Sequence, residues 1–143
     1  QPLAALARLA QARTAASGAV ADADAGPHFD RVADVADLDR RLRSAGRPAM
    51  LDFYADWCVS CKEMEAGTFV DPTVRAKLDG AVLLRADVTA NTADDRALLR
   101  RFHLFGPPGI ILFDARGREV DAARVVGFLG AEAFAGRLAR AGL

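Results

Sequence analysis

Apolar positions along the chain follow two different spacings, and their alternation predicts a sheet covered by helices. Short runs rich in β-branched and aromatic residues have the length of strands, and longer segments with apolar residues three and four apart have the period of a helix. The strand-like segments are "PAMLDFYA" (48–55), "AVLLRADV" (81–88), "GIILFD" (109–114) and "EVDAARVVGF" (119–128), with "FDRV" (29–32) as a candidate short edge strand.

The segments between these strands carry helix signals. "VADLDRRLRSAG" (35–46) places three apolar residues on one face and ends at Gly46, a residue type that commonly follows a helix. "DPTVRAKLDG" (71–80) has Asp71 as its N-cap and a proline at the first helical position. Further helices are predicted from Cys58, with an interruption at Gly67, over 91–102, and over 131–142 with Ala133, Phe134 and Leu138 facing inward.

The order of elements is therefore β-α-β-α-β-α-β-β-α. Alternation of strands and helices predicts an α/β domain whose central sheet is partly parallel and has helices on both faces. Only the turn "ARGR" (115–118) separates the last two strands. We therefore expect an antiparallel hairpin at one edge, which makes the sheet mixed.

Composition narrows the class of protein. The chain has 143 residues, just over half of them apolar, and a formal net charge of zero. These values fit one globular domain with a core and argue against a nucleic-acid surface, which normally needs clustered positive charge. Residues 1–27 are Ala-rich and read as a linker or a short helix near 3–16, so the domain is expected over 28–143. Because the chain begins at Gln1 rather than Met, we expect it to be part of a longer protein.

The two cysteines of the chain lie in one motif, "LDFYADWCVSCKEME" (51–65). Positions three apart on a helix share a face, with Cα atoms about 5 Å apart, which a disulfide can bridge. Cys58 is expected at the helix N-terminus, where free N–H groups stabilise a thiolate, and Cys61 one turn deeper. This arrangement favours a redox-active dithiol in which Cys58 attacks and Cys61 resolves the mixed disulfide.

Three other interpretations of the pair were weighed. A structural disulfide that closes so short a loop would stabilise the fold by only about 2 kcal/mol. Half of a zinc site would need two more ligands, and the chain has no second cysteine pair. Two inert core thiols fit poorly with an aromatic-flanked CxxC directly after a strand. No metal and no cofactor other than the Cys58–Cys61 disulfide is expected.

Three neighbours of the cysteines are candidate site residues, each with two interpretations. Asp52 lies within a buried strand, as an acid with a structural hydrogen bond or as the group that takes and returns the proton of Cys61. Glu65, four residues after Cys61, is either a second charge that raises the thiol pKa values or a solvated surface acid. Trp57 either packs or forms an aromatic wall beside the reactive sulfur.

Several motifs of this chain resemble those of a known family. "FYADWCVSCK", an acid in the preceding strand and "GPPG" before a later strand resemble the thioredoxin superfamily, and the match is close to the C-terminal periplasmic domain of the DsbD family. The likeness runs from about Phe29 to the C-terminus. The CxxC is shared across the superfamily, whereas "YADWCVSCKEME" together with "DVTAN" is more specific.

The resemblance implies a thioredoxin-like fold and a role in electron relay. Cys58 matches the nucleophile, Cys61 the resolving cysteine, Asp52 and Glu65 the acids that tune them, and Pro108 a cis-proline facing the CxxC. The domain would be a protein-disulfide reductase, monomeric when isolated and periplasmic, tethered to the bacterial inner membrane. It would receive electrons from the membrane-embedded domain of its parent protein and pass them to the parent's N-terminal periplasmic domain, which serves disulfide isomerases and cytochrome c maturation.

The chain departs from the family pattern before the cis-proline. Pro107 stands there and has no N–H to offer a docked partner segment, so looser docking is expected. With acids nearby and no positive charge between the cysteines, the pair is expected to act as a reductant. Two alternatives are a free-standing or tethered thioredoxin-like reductase and a redox-inert binding module on the same fold.

Overall fold

A computed structural model describes residues 26–143, so the candidate helix near 3–16 lies outside the described residues. The strands are β1 (Asp30–Arg31), β2 (Ala49–Tyr54), β3 (Val82–Asp87), β4 (Gly109–Phe113) and β5 (Val125–Val126). They form one sheet in the order β1-β3-β2-β4-β5. β1 and β2 run parallel to β3, whereas β4 is antiparallel to both β2 and β5. The predicted mixed sheet with an antiparallel edge is confirmed.

The helices lie between the strands as the apolar spacing predicts. They are α1 (Val35–Ala45), α2 (Val59–Glu63), α3 (Pro72–Leu78), α4 (Ala93–Arg101) and α5 (Ala131–Arg140). Gly46 follows α1 with a φ of 67°, a conformation that glycine adopts without strain. Asp71 caps α3 through hydrogen bonds from two backbone N–H groups, and Thr92 caps α4 in a reciprocal capping box with Asp95.

The chain does not break its helix at Gly67. A π-helical turn, Met64–Thr68, follows α2 directly, and the N–H of Phe69 donates to the carbonyl of Met64 at 2.9 Å. The buried hydroxyl of Thr68 fixes this turn by donating to the carbonyl of Leu129 at 2.7 Å. The wider winding accommodates the glycine where the sequence suggested an interruption, and such turns are frequent at functional sites.

The core has two halves, one on each face of the sheet. On one face α1 and α4 bury Leu38, Leu42, Leu98 and Phe102 against odd-numbered residues of β2 and β4. On the other face the π-helical turn, α3 and α5 bury Met64, Val74, Phe134 and Leu138 against the even-numbered residues. Ala133 was expected to face inward, but it is exposed. The buried stripe of α5 instead follows Phe134 and Leu138 at a spacing of four, with Ala131 and Ala135 at its margin.

The predicted last strand over 119–128 is wrong in extent. Glu119 forms a single bridge to Phe113, a 3₁₀ helix spans Asp121–Ala123, and only Val125 and Val126 pair as β5. Ala123 is fully buried there, and alanine is a weak strand former. The short strand leaves little open sheet edge. Within residues 26–143, none of the helices combines the length and apolar character that crossing a membrane requires.

Candidate functional site: a disulfide beside a shared arginine

Cys58 and Cys61 are joined by a disulfide at the start of α2, with their Cα atoms 5.3 Å apart. Cys58 is the N-cap, and its sulfur accepts the N–H of Cys61 at 3.2 Å. That N–H would stabilise a thiolate at Cys58 once the bond is reduced. Both cysteines are buried, with 6% and 4% of their surface exposed, so overall exposure does not separate an outer cysteine from an inner one.

The carboxyl end of β2 positions the pair. The chain leaves β2 after Tyr54 and turns at once, since the N–H of Cys58 donates to the carbonyl of Ala55 at 3.1 Å. The sulfur of Cys61 lies 3.9 Å from the carbonyl oxygen of Phe53. A reduced Cys61 thiol therefore has a backbone acceptor directly beneath it.

Asp52 is buried within β2, with 5% of its surface exposed. It lies on the even-numbered face of the sheet, which the π-helical turn covers. Burial raises its pKa to about 7, because the cost of desolvating the carboxylate exceeds the opposing effect of the guanidinium of Arg85. The carboxyl group therefore changes its protonation state near neutral pH.

Arg85 is the basic partner of Asp52. It lies on the neighbouring strand β3, so the sequence of β2 alone does not indicate it. In the parallel register of β2 and β3, Asp52 stands opposite Arg85. The Nε and Nη2 atoms of Arg85 donate to Oδ2 of Asp52 at 3.2 and 2.9 Å. The signal was available: aligning the two predicted strands as parallel neighbours puts the acid and the arginine at the same position.

Glu65 joins the same arginine from the helical side. Its Oε1 lies 2.9 Å from Nη2 of Arg85, and the π-helical turn carries it there. About a third of the Glu65 side chain is exposed, so water reaches this carboxylate more readily than Asp52. Glu65 is thus a member of an ion-pair cluster, and its charge contributes to the raised pKa of Asp52.

Two aromatic rings hold the guanidinium in place. The central carbon of Arg85 lies 4.5 Å from the ring centroid of Phe29 and 4.4 Å from that of Tyr54. The hydroxyl of Tyr54 accepts a hydrogen bond from Lys62 and donates to Asp56 at 3.0 Å. Lys62 is exposed, yet it belongs to this network.

Trp57 is anchored at one atom and otherwise exposed. Its side chain is largely exposed, at 61%, while its Nε1 donates to the carbonyl of Thr89 at 3.2 Å. The hydroxyl of Thr89 in turn accepts the N–H of Asp56 at 2.9 Å. The loop after β3, which contains "DVTAN", thereby fixes the indole at one point and leaves its surface free beside Cys58.

The peptide bond between Pro107 and Pro108 is cis. Gly109, which follows, pairs with Phe53 in the antiparallel register of β2 and β4. The two prolines therefore lie at the end of the sheet from which the CxxC segment departs. The carbonyl of Pro108 accepts the N–H of Gly127 at 3.1 Å, so its acceptor already has a partner within the fold.

Large exposed apolar side chains of the described residues belong to the segments around this end of the sheet. They are Trp57 and Val59, which flank Cys58, Phe105 before the two prolines, and Val126 and Phe128 at and after β5. Such a cluster is typical of a protein-binding surface. In residues 26–143, His, Cys, Asp and Glu form no group of three or more that could hold a metal ion.

Comparisons with known proteins agree with this geometry. A family model described as a thioredoxin-like domain matches residues 37–142. The thiol:disulfide interchange protein DsbD of Ralstonia nicotianae is 57% identical over 144 residues, which cover 99% of this chain and 22% of that protein. The DsbD protein of Cronobacter sakazakii is 58% identical over 83% of this chain and 21% of its own length. The chain thus spans about a fifth of the length of these relatives.

Among solved structures, the oxidised DsbD C-terminal domain of Neisseria meningitidis superposes with a TM-score of 0.61 at 37% identity, covering 74% of this chain and 94% of that one. The reduced form of the same domain gives a TM-score of 0.63 at 35% identity, over 76% and 97%.

Proposed function

Since the chain belongs to the thioredoxin-like family, and within it to the C-terminal domains of the DsbD proteins, we propose that Cys58 and Cys61 relay electrons by thiol–disulfide exchange. The observation that carries this proposal is the Cys58–Cys61 disulfide at a helix start, next to a buried carboxyl group with a pKa of about 7. The chemistry needs no bound cofactor, because the two sulfurs themselves carry the electron pair.

The exchange has two steps. The Cys58 thiolate attacks one sulfur of a partner disulfide, which forms a mixed disulfide and releases the partner's other sulfur as a thiolate. The Cys61 thiolate then attacks the sulfur of Cys58, forms the intramolecular disulfide and releases the second partner thiolate. Two electrons pass to the partner, which takes up two protons and becomes a dithiol, while the domain is oxidised.

Asp52 is the proton acceptor for Cys61 in this scheme. Cys61 must lose its proton before it can attack, and its sulfur is buried next to the carbonyl of Phe53. A carboxyl group that titrates near 7 is matched to taking a proton and returning it at neutral pH. Asp52 directly precedes Phe53 in β2, and the carbonyl of Phe53 lies against the sulfur of the second cysteine.

The partners follow from the family. As a piece of a DsbD protein, the domain would lie in the periplasm, tethered to the inner membrane. There it would be reduced by the membrane-embedded domain of its parent and would reduce the parent's N-terminal periplasmic domain. Trp57, Phe105 and Phe128 supply an apolar docking surface beside the disulfide. Pro107 offers no N–H, so we expect replacing it with leucine to slow the release of a trapped partner.

The test of this function is disulfide trapping. The Cys61→Ala protein, incubated with an oxidised N-terminal DsbD domain, is expected to accumulate a mixed disulfide through Cys58, visible by non-reducing electrophoresis and mass spectrometry. Cys58→Ser serves as the matched control and should form no covalent complex. A redox-inert binding module would bind the partner equally well in all variants and trap it in none, which would refute the proposal.

A further inference from the structure

Beside the disulfide, one guanidinium serves two carboxylates. Arg85 donates to Asp52 through Nε and Nη2, and the same Nη2 lies 2.9 Å from Glu65. When both acids are ionised, this cluster carries a net charge of minus one. The two carboxylate oxygens are no farther apart than two such contacts, so in the absence of Arg85 they would repel each other strongly.

The position of Arg85 is fixed by more than these ion pairs. Its guanidinium lies between the rings of Phe29 and Tyr54, and only 21% of its side chain is exposed. Stacking of this kind suits the planar, weakly hydrated guanidinium better than an ammonium group. The fold therefore holds a permanent positive charge at this point of the sheet.

The elements that carry the two acids also carry or contact Cys61. Asp52 directly precedes Phe53, whose carbonyl oxygen is 3.9 Å from the sulfur of Cys61. Glu65 follows Cys61 by four residues, within the π-helical turn. A pocket of about 200 Å³ opens onto Glu65 and Arg85 between Phe29 and Phe69, on the β1 side of the sheet. None of the exposed apolar residues around the disulfide lines this pocket.

We propose that Arg85 is a positioning residue for the exchange reaction: it holds Asp52 and Glu65 together and cancels one of their two charges. It thereby sets how tightly the reduced cysteines hold their protons. This inference rests on the proposed function of the cysteine pair. Arg85 does not touch a sulfur and acts through the two acids.

Other charged groups face the cluster and stay in place in the test. Lys62, from α2, binds the hydroxyl of Tyr54 and lies 4.8 Å from its ring centroid. Asp56 accepts from the same hydroxyl. On the sheet, Asp87 of β3 interacts electrostatically with Arg85 and with Arg31 of β1. Arg85 contacts both Asp52 and Glu65, so it is the charge that the test must change.

Loss of Arg85 has a defined electrostatic consequence. When both acids are ionised, the cluster without Arg85 would carry two negative charges instead of one, which disfavours a thiolate nearby and raises the pKa of the thiol. Loss of the Glu65 charge has the opposite effect. A double variant that lacks both charges restores the net charge of the wild-type cluster. Opposite shifts of the thiol pKa in the two single variants would distinguish an effect of charge from a general loss of packing.

The experiment measures the alkylation rate of Cys58 by iodoacetamide against pH in the reduced protein, with the product located by mass spectrometry. Arg85→Gln is expected to move the midpoint upward by about one pH unit. Glu65→Gln should move it downward, and the double variant should lie close to the wild type. Arg85→Lys, which keeps the charge, should stay near the wild type. Arg101→Gln, which breaks an exposed pair with Asp39, is the matched control.

The inference is overturned if Arg85→Gln and Glu65→Gln shift the midpoint in the same direction, or if Arg85→Lys shifts it as far as Arg85→Gln. Should Arg85→Gln fail to fold by circular dichroism, Glu65→Gln decides alone, because an unchanged or raised midpoint in that variant contradicts the account. The trapping experiment reads out the proposed function separately. A domain that traps its partner but shows no charge dependence refutes only the role of Arg85.

Discussion

Two half-buried arginines of this domain make ion pairs of different design. Arg124 faces a single acid: its Nε and Nη2 donate to the two carboxylate oxygens of Glu119 at 3.1 and 2.7 Å. Its Nη1 donates to the carbonyl of Phe102 at 2.6 Å. This is a two-pronged pair with matched charges, and it joins the segment before β5 to the end of α4.

Arg85, in contrast, divides its donors between two acids. Nε and Nη2 both donate to one oxygen of Asp52, and Nη2 is shared with Glu65. Burial together with the second acid leaves Asp52 with a raised pKa of about 7. The pair of Arg124 with Glu119 has no net charge, whereas the cluster around Arg85 has one acid more than it has guanidinium groups. The unbalanced pair lies beside the disulfide.

The largest expected contrast is in stability. The pKa of Asp52 is raised in the folded state from 3.8 to about 7, so the native protein binds more protons than the unfolded chain between these values. The stability that protonated Asp52 contributes is fully present below pH 4 and is lost as the pH rises through 7. Above pH 7 the ionised carboxylate lowers the free energy of unfolding by about 4 kcal/mol. Asp52→Asn should raise the free energy of unfolding of the oxidised protein at pH 8 by up to that amount, with little change at pH 4.

Glu119→Gln should change the free energy of unfolding in the opposite direction. This substitution weakens a balanced pair and leaves Arg124 without its counter-charge, so it should lower the free energy of unfolding by about 1 to 3 kcal/mol at pH 8. Denaturant unfolding of the two variants at pH 4 and pH 8 measures the contrast. If Asp52→Asn lowers the free energy of unfolding at pH 8, the claim that ionised Asp52 destabilises the fold is wrong.

The next contrast is in the rate of exchange. Without a carboxyl group to take the proton of Cys61, resolution of a mixed disulfide at pH 7 should slow by roughly 10- to 100-fold in Asp52→Asn. The rise in rate through pH 7 should also disappear. Glu119→Gln, distant from the sulfurs along the sheet, should keep the wild-type rate. Stopped-flow measurement of thiol release from a preformed mixed disulfide provides the resolution rate of each variant. Equal rates in the two variants would contradict a role of Asp52 in proton transfer.

The smallest effect belongs to an exposed pair. Arg101 binds Asp39 across α4 and α1 at 3.1 Å, with about half of the arginine side chain in solvent. Exposed pairs contribute little because water screens them, so Arg101→Gln should change the free energy of unfolding by less than about 1 kcal/mol and leave exchange unaffected. A larger loss of stability would show that solvent exposure does not explain why this pair should matter less than the half-buried pairs of Arg85 and Arg124.

The sequence allowed the strands, helices and cysteine geometry to be predicted because each follows from local spacing. The N-cap signal at Asp71 predicted where α3 begins. Arg85 could not be found from its own segment, since its contact with Asp52 depends on how β2 and β3 align. Glu65 reached the cluster through a π-helical turn, a change of winding that apolar spacing does not encode.

Other departures have similar causes. Residues 119–128 read as one strand because their apolar residues alternate, yet Ala123 is buried through a 3₁₀ turn and only two residues pair. Ala133 was placed inside because alanine fits either environment, and the larger Phe134 decides which side of α5 is buried. In each case a long-range contact outweighs a weak local preference.

The most direct test of the central claim is the pH titration of the Asp52 carboxyl carbon by NMR in the oxidised protein, where the cysteines do not titrate. The signal can be assigned by its absence in Asp52→Asn. The account predicts a midpoint of about 7. A midpoint near the ordinary aspartate value of about 4 would show that the carboxylate is too weak a base to take up the proton of Cys61 near neutral pH.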